Sequence, residues 1–194
     1  RGGRQDANGN YLASVEVAPI TAAGQLGNWS LASSGLSTGR AYAGVAVYRG
    51  HVYACGGRDG SGAALASCEI FDGSAWSTAG ALLAARHSFG MAVVGTQLYA
   101  VGGVGAAGAA LATVDALGGD GSWRCEASVL GAARSAHNAL AAVGGTLLVA
   151  GGEGGSFAPL ASAEQWAPPP RRAVGAGERR RLRRRADGHK PAPP

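Results

Sequence analysis

Bulky apolar side chains are scarce in this 194-residue chain: it holds three Phe and one Met, although 46% of its residues are hydrophobic. Alanine dominates that fraction, so a core built from it relies on close approach of backbones rather than on large side chains. Charge is sparse as well, at 15% of residues, which excludes a disordered polyelectrolyte over most of the length. No apolar run reaches roughly 18 residues, so no membrane-spanning helix is expected. The chain opens at Arg1 without an initiator Met or a charged-then-apolar leader, as expected of a piece of a longer product. Three cysteines, Cys55, Cys68 and Cys125, make no disulfide framework and no C-x-x-C pair. Cys55 and Cys68 stand where sister segments carry Val or Ala, so they read as small core hydrophobes. A disulfide across two adjacent strands is the alternative.

Glycine, by contrast, is abundant, with 34 residues, and it is ordered into a pattern. Doublets stand at Gly2-Gly3, Gly56-Gly57, Gly102-Gly103 and Gly151-Gly152. Each is followed by a variant of Leu-Ala-Ser-Val-Glu ending in an acid, at Glu16, Glu69, Asp115 and Glu164. The second glycine and the acid are 13, 12, 12 and 12 residues apart. A tryptophan follows each of the first three acids, at Trp29, Trp76 and Trp123, and then an arginine, at Arg40, Arg86 and Arg134. From that arginine to the next doublet is 16, 16 and 17 residues. The doublets lie 54, 46 and 49 residues apart, the first interval lengthened by a loop-like insertion over 18–28. A period near 50 is therefore the first organising fact of the chain.

Within one period the strands are short. Residues 43–48 and 51–55 flank Arg49-Gly50 as a hairpin, repeated by 89–94 with 97–101 and by 138–143 with 146–150. These first two strands are apolar at nearly every position, which predicts burial on both faces. A third strand near 67–71 carries the acid, and a fourth lies around Trp76 or Trp123. Glycine interrupts every candidate helical window.

The order Arg, apolar strand, turn, Leu/Val-Tyr-Ala-x-Gly-Gly, spacer, Val-Glu, Trp resembles the kelch motif of β-propellers over about Gly2 to Trp166. The resemblance implies an all-β fold, a kelch-type propeller fragment of four-stranded antiparallel blades. Its segments are 1–40 (partial), 41–86, 87–134 and 135–166 (partial), an open arc of about three and a half blades. The doublets then end the second strand where backbones pass closely, and no Gly-x-x-x-x-Gly-Lys supports a phosphate cradle. The tryptophans pack between blades, with sugar stacking as the alternative for an exposed one. Trp166, two residues after Glu164, belongs to a third strand like Phe71 after Glu69. The arginines fix loops by bonding carbonyls or a blade acid; a ring of arginines attracting an acidic partner is the alternative.

Chemistry-bearing constellations are missing. His51, His87 and His137 occupy different repeat positions without metal-ligand spacing, and no Gly-x-Ser-x-Gly elbow or Ser/His/Asp set is present. No catalytic residue, metal or cofactor is expected. Net charge is divided: residues 1–170 carry −2 and residues 171–194 carry +7. Residues 167–194, with Pro168-Pro169-Pro170 and Arg179 to Arg185, read as a disordered tail. The expected function is a non-catalytic protein-interaction module, a scaffold or adaptor, acting through loops such as 58–64 and 104–110. Missing blades or a second copy are further expected partners at the open edges. Two alternatives stand beside it: a carbohydrate-binding or carbohydrate-modifying propeller, and nucleic-acid or acidic-partner binding by the Arg-rich tail.

Overall fold

The structure, a computed structural model, describes residues 10–127, 129–137 and 139–168. Gly2-Gly3, Asn138 and the tail with Arg179–Arg185 lie outside those residues. Among the described residues the chain forms strands and no helix. The first pair is β1 (Glu16–Val17) and β2 (Ser30–Leu31). A four-stranded antiparallel blade follows from β3 (Gly44–Tyr48), β4 (His51–Cys55), β5 (Cys68–Phe71) and β6 (Trp76–Ala79), in that spatial order. The next element, β7 (Arg86–His87), precedes a second complete blade of β8 (Gly90–Val94), β9 (Gln97–Val101), β11 (Val114–Leu117) and β12 (Trp123–Cys125). Within that blade's loop, β10 (Val104–Gly105) pairs back onto β7. Last come β13 (Ala139–Val143), β14 (Thr146–Ala150) and β15 (Ala163–Trp166), a three-stranded sheet. Among the described residues the fold is an open, all-β series of antiparallel sheets. The three expected hairpins start within one residue of their observed bounds, and Trp166 closes a third strand opposite Leu147, as Phe71 does opposite Val52.

Apolar burial is concentrated in the seams between blades. One seam joins Tyr48, Cys55 and Cys68 to Phe89, Leu98, Ala100, Leu117 and Trp123. The other joins Val94, Tyr99, Val101, Val114 and Ala116 to Leu147, Val149 and Trp166. The expectation of two-faced burial holds for β9, every residue of which is buried, and only in part for its hairpin partner β8, where Gly90 to Val93 are half-buried; the third strand β11 is buried throughout as well. It is corrected for the outer blades: Val45 and Val47 of β3 are 60% and 67% exposed, and Val143 of β13 is 66% exposed. Their side chains alternate onto a face that no complete blade covers, so an apolar strand sequence does not by itself ensure burial.

The reading of Cys55 and Cys68 as two core thiols is also corrected. They form a disulfide, directly opposite each other on β4 and β5 with Cα atoms 4.0 Å apart. The same register places Val101 opposite Val114 and Ala150 opposite Ala163 in the later blades. The disulfide therefore replaces an apolar cross-strand pair at a fully buried position.

Close backbone approach shows most clearly at the doublets. The N–H of Gly57 donates to the carbonyl of Arg86 and that of Gly103 to the carbonyl of Arg134, at 2.8 and 2.9 Å. A Cβ on Gly56 would come within 2.5 Å of Arg86 O and 2.8 Å of the Phe89 ring; on Gly102 it would come within 2.5 Å of Arg134 O and 2.9 Å of His137. Gly151 differs, since a Cβ there would meet nothing nearer than Leu160 O at 3.7 Å. All three first glycines have positive φ, 59°, 62° and 65°, so the backbone penalty for a side chain is shared while the steric one is not. Gly151→Ala is expected to destabilise by about 1 kcal/mol and Gly102→Ala by about 3 kcal/mol, because a blade seam must open as well. Paired urea melts of the two variants check the difference; equal losses would refute it.

Candidate functional site

Each repeat arginine ties two blades together. Arg86 accepts the Gly57 N–H at its carbonyl and donates its own N–H to Leu65 O, both in the preceding blade. Its guanidinium turns into the following blade, where Nη1 donates to Gly102 O at 3.2 Å and Nη2 to Asp115 Oδ2 at 2.6 Å. Arg40 donates likewise to Gly56 O at 2.8 Å, to Ser67 O at 3.0 Å and to Glu69 Oε1 at 2.6 Å. Arg134 donates to Gly151 O at 2.8 Å, to Ser162 O and to Glu164. All three arginines are buried, and Arg134 is 0% exposed. They are held inside the blades, and their geometry fits the fixing of loops better than a charged ring open to solvent.

The acids differ in how well they are satisfied. Glu69 also accepts the N–H groups of Ser37 and Thr38, and Glu164 those of Gly131 and Ala132. Burial pushes both carboxyls up, but these bonds and the paired arginine outweigh it and hold each below its ordinary value. Asp115, one methylene shorter, binds Arg86 without such a pair of backbone donors. Burial there outweighs the Arg86 charge and raises the carboxyl. Glu16 is exposed on β1. The paired arginines precede their acids by 29 or 30 residues.

The tryptophans divide in the same graded way. Trp123 is buried in the first seam and donates Nε1–H to Gly80 O of the preceding blade at 3.0 Å. Trp76 is half-buried and packs on Phe71 of its own blade, ring centroids 5.3 Å apart. The expectation of inter-blade packing is corrected for Trp29, which is 62% exposed because the described residues place no sheet on the outer side of β1 and β2.

Three features escaped the sequence reading. Tyr42, Ser88 and Ala136 stand two residues after their arginines with φ of 57°, 53° and 50°. Ser88 N–H donates to Tyr42 O and Ala136 N–H to Ser88 O, both at 2.9 Å, a backbone ladder from blade to blade. Nothing in Tyr, Ser or Ala announces a left-handed backbone. Beside this ladder, Tyr42, 48% exposed, has ring contacts with Tyr11 at 6.4 Å and His87 at 6.3 Å. Burial, and the positive field of Arg58 beyond it, hold the His87 imidazole below its ordinary pKa. Arg58 anchors its loop by donating Nε–H to Gly62 O at 2.8 Å, and Asp59 closes the same loop by accepting the N–H of Ser61 and of Ala63. Thus Tyr11, Tyr42, His87 and Arg58 gather at the loop end of the blades.

The third feature is His137, whose ring lies against Gly102 where Phe89 lies against Gly56. It is buried, and neither ring nitrogen has a partner in good hydrogen-bond geometry. Burial, reinforced by Arg134, holds the imidazole below its ordinary pKa against a weaker opposing pull from the Val101 backbone.

Two outcomes follow from these environments. Glu69 and Glu164 take backbone N–H groups three and two residues before their arginines, and by that equivalence Asp115→Glu should accept those of Leu83 and Ala84 and have its pKa lowered below the ordinary range. A group with a depressed folded pKa stabilises above its unfolded pKa and loses that contribution on acidification, whereas the raised Asp115 has the opposite sign. The variant should therefore melt higher than the parent at neutral pH, with the gain vanishing in acid; a gain independent of pH would refute the reading. For His137 the folded pKa lies below the unfolded value of 6.5, so stability is lost as pH falls through that value. His137→Phe should add about 1 kcal/mol near neutral pH, and its advantage over the parent should widen toward about pH 5.

No curated protein matches the sequence. Residues 39–81, which run from the end of the first segment through β3 to β6, match the family model of the Kelch motif. That match covers the doublet Gly56-Gly57, the acid Glu69 and Trp76, so this segment is similar to the Kelch motif.

Proposed function

We propose that the chain is a non-catalytic interaction module that holds a protein partner on its loop face. Kelch repeats generally serve protein interaction, and the match over 39–81 supports that class of function here. The observation that carries the finer reading is the cluster of Tyr11, Tyr42, His87 and Arg58. It joins exposed aromatic surface to hydrogen-bonding and cationic groups, the composition enriched at protein interfaces. The repeated arginines, acids and doublets then serve as the frame that presents those loops. The uncovered faces of the end blades are a second contact surface.

The carbohydrate alternative requires exposed tryptophan converging with polar groups. Trp29 is exposed, but Trp123 and Trp166 are buried and Trp76 packs on Phe71, which gives that reading little support. Binding of nucleic acid or an acidic partner through Arg179–Arg185 is separable by experiment.

Tyr42→Ala is the cleanest probe, because Ala136 already occupies the equivalent left-handed position at φ 50°. Affinity capture with the intact chain, the Tyr42→Ala variant and a chain lacking residues 171–194 should recover a partner whose binding falls about tenfold in Tyr42→Ala, an effect of the size typical of an interface aromatic. The melting temperature should stay unchanged. A partner lost only with the tail would replace this reading by the electrostatic one.

A further inference from the structure

Three positions on the loop face are equivalent by backbone pairing and differ in charge. Arg58, Val104 and Glu153 each follow a glycine doublet, and each pairs with the residue after a repeat arginine: Ala41, His87 and Ser135. Each also bridges the far side of its own loop, at Ala64, Ala110 and Pro159. The face therefore carries a cation at one end, an apolar side chain in the middle and an anion at the other end. Among the described residues neither charge has an ion-pair partner. The Arg58 side chain makes one hydrogen bond, from Nε to Gly62 O. Both charged residues are half-buried, which strengthens their pull on an opposite charge.

An aromatic ring stands out at each of these ends. Tyr42, 48% exposed, lies at the Arg58 end, and Phe157, 53% exposed, sits at the tip of the Glu153 loop. Phe157 has a left-handed backbone at φ 55°, where the two sister loops place Gly62 at 85° and Gly108 at 79°. The turn is the same in all three: Phe157 N–H donates to Gly154 O, Gly62 N–H to Asp59 O and Gly108 N–H to Gly105 O. Glycine suits that backbone better, so an exposed phenyl ring is held where it costs stability, an arrangement that points to contact rather than packing.

From this we propose that the loop face binds an extended peptide segment of a partner with an ordered pair of charges: an acidic residue opposite Arg58, a basic residue opposite Glu153 and apolar side chains between them, against Tyr42 and Phe157. Two sheet spacings separate the charges, about 20 Å, which an extended strand covers in about six residues. Opposite charges meeting at both ends fix the direction of the segment, because a reversed one sets like charge against like. The proposal rests on the loop-face reading of the interaction module and adds to it the chemistry and direction of what is bound.

The test is selection from a random peptide library on the immobilised full chain and on its charge variants. The parent should enrich peptides with an acid and a Lys or Arg about six residues apart, in one N-to-C order. Glu153→Gln, which has no side-chain bond to lose, should drop the basic residue alone from the selected set. Arg58→Glu combined with Glu153→Arg should reverse the order of the two charges. The best parent-selected peptide should bind this double variant at least about tenfold more weakly, and its charge-reversed version should recover the loss. Phe157→Gly should weaken the parent-selected peptide about tenfold while melting no lower than the parent, a combination that a purely structural ring would not give. No enriched peptide, enrichment without the paired charges, or a charge order indifferent to the swap would overturn the proposal. So would enrichment that appears only after deletion of residues 171–194, which assigns the face to the chain's own tail, or peptide binding in solution that falls as the chain is concentrated, which assigns it to a second copy. A captured partner that Tyr42→Ala weakens but the charge variants leave unchanged would sink the charge order and leave the interaction module standing.

Discussion

A glycine amide that must reach the carbonyl of an arginine in the next blade sets the terms for most of the architecture. The Gly57 N–H to Arg86 O and Gly103 N–H to Arg134 O bonds require backbones too close for a Cβ on the doublet. The arginine that accepts this bond then extends its guanidinium to the following doublet and acid, so its main chain belongs to one seam and its side chain to the blade beyond. Such burial of a cation is tolerable because Coulomb pairing and several hydrogen bonds replace lost water, and removing one partner would leave an uncompensated charge. The spacing of Arg, Gly-Gly and acid is thus the imprint of one mechanical unit.

That unit was readable from the sequence because each of its parts has a distinctive residue type and the period repeats it. The hairpins, the third strand and the place of Trp166 followed from the same alignment of segments. What the repeat hid were properties that depend on neighbours. Trp29, Trp76 and Trp123 are equivalent in sequence, but they range from exposed to buried according to how much of a blade lies beside each. Val45, Val47 and Val143 belong to apolar strands but face outward for the same reason. Cys55 and Cys68 looked like their Val and Ala counterparts; only the register of β4 against β5 brings their side chains together. The aromatic cluster was illegible for another reason, since Tyr11, Tyr42, His87 and Arg58 come from separate segments and share no spacing.

Small departures from the repeat carry as much physics as the repeat itself. An aspartate in place of a glutamate leaves Asp115 short of the backbone donors that its counterparts use, and reverses the direction of its pKa shift. An imidazole in place of a phenyl ring puts two polar nitrogens into the second seam at His137. The two departures sit at successive seams, Asp115 beside Arg86 where the second blade meets the third and His137 where the third meets the fourth. Near-equivalent sites can therefore respond to acid in opposite ways within one domain.

The ladder from Tyr42 through Ser88 to Ala136 gives the arc a polarity. Every rung runs the same way, donor in the later blade and acceptor in the earlier one, so the two ends are chemically unlike, as the ends of a filament are. Assemblies made of such head-to-tail contacts either close into rings or continue as open helices, and the angle turned per unit decides which. In this molecule that angle is set by how near a glycine doublet lets two backbones come. A single added methyl group at a seam is thus a change of curvature as well as a loss of stability.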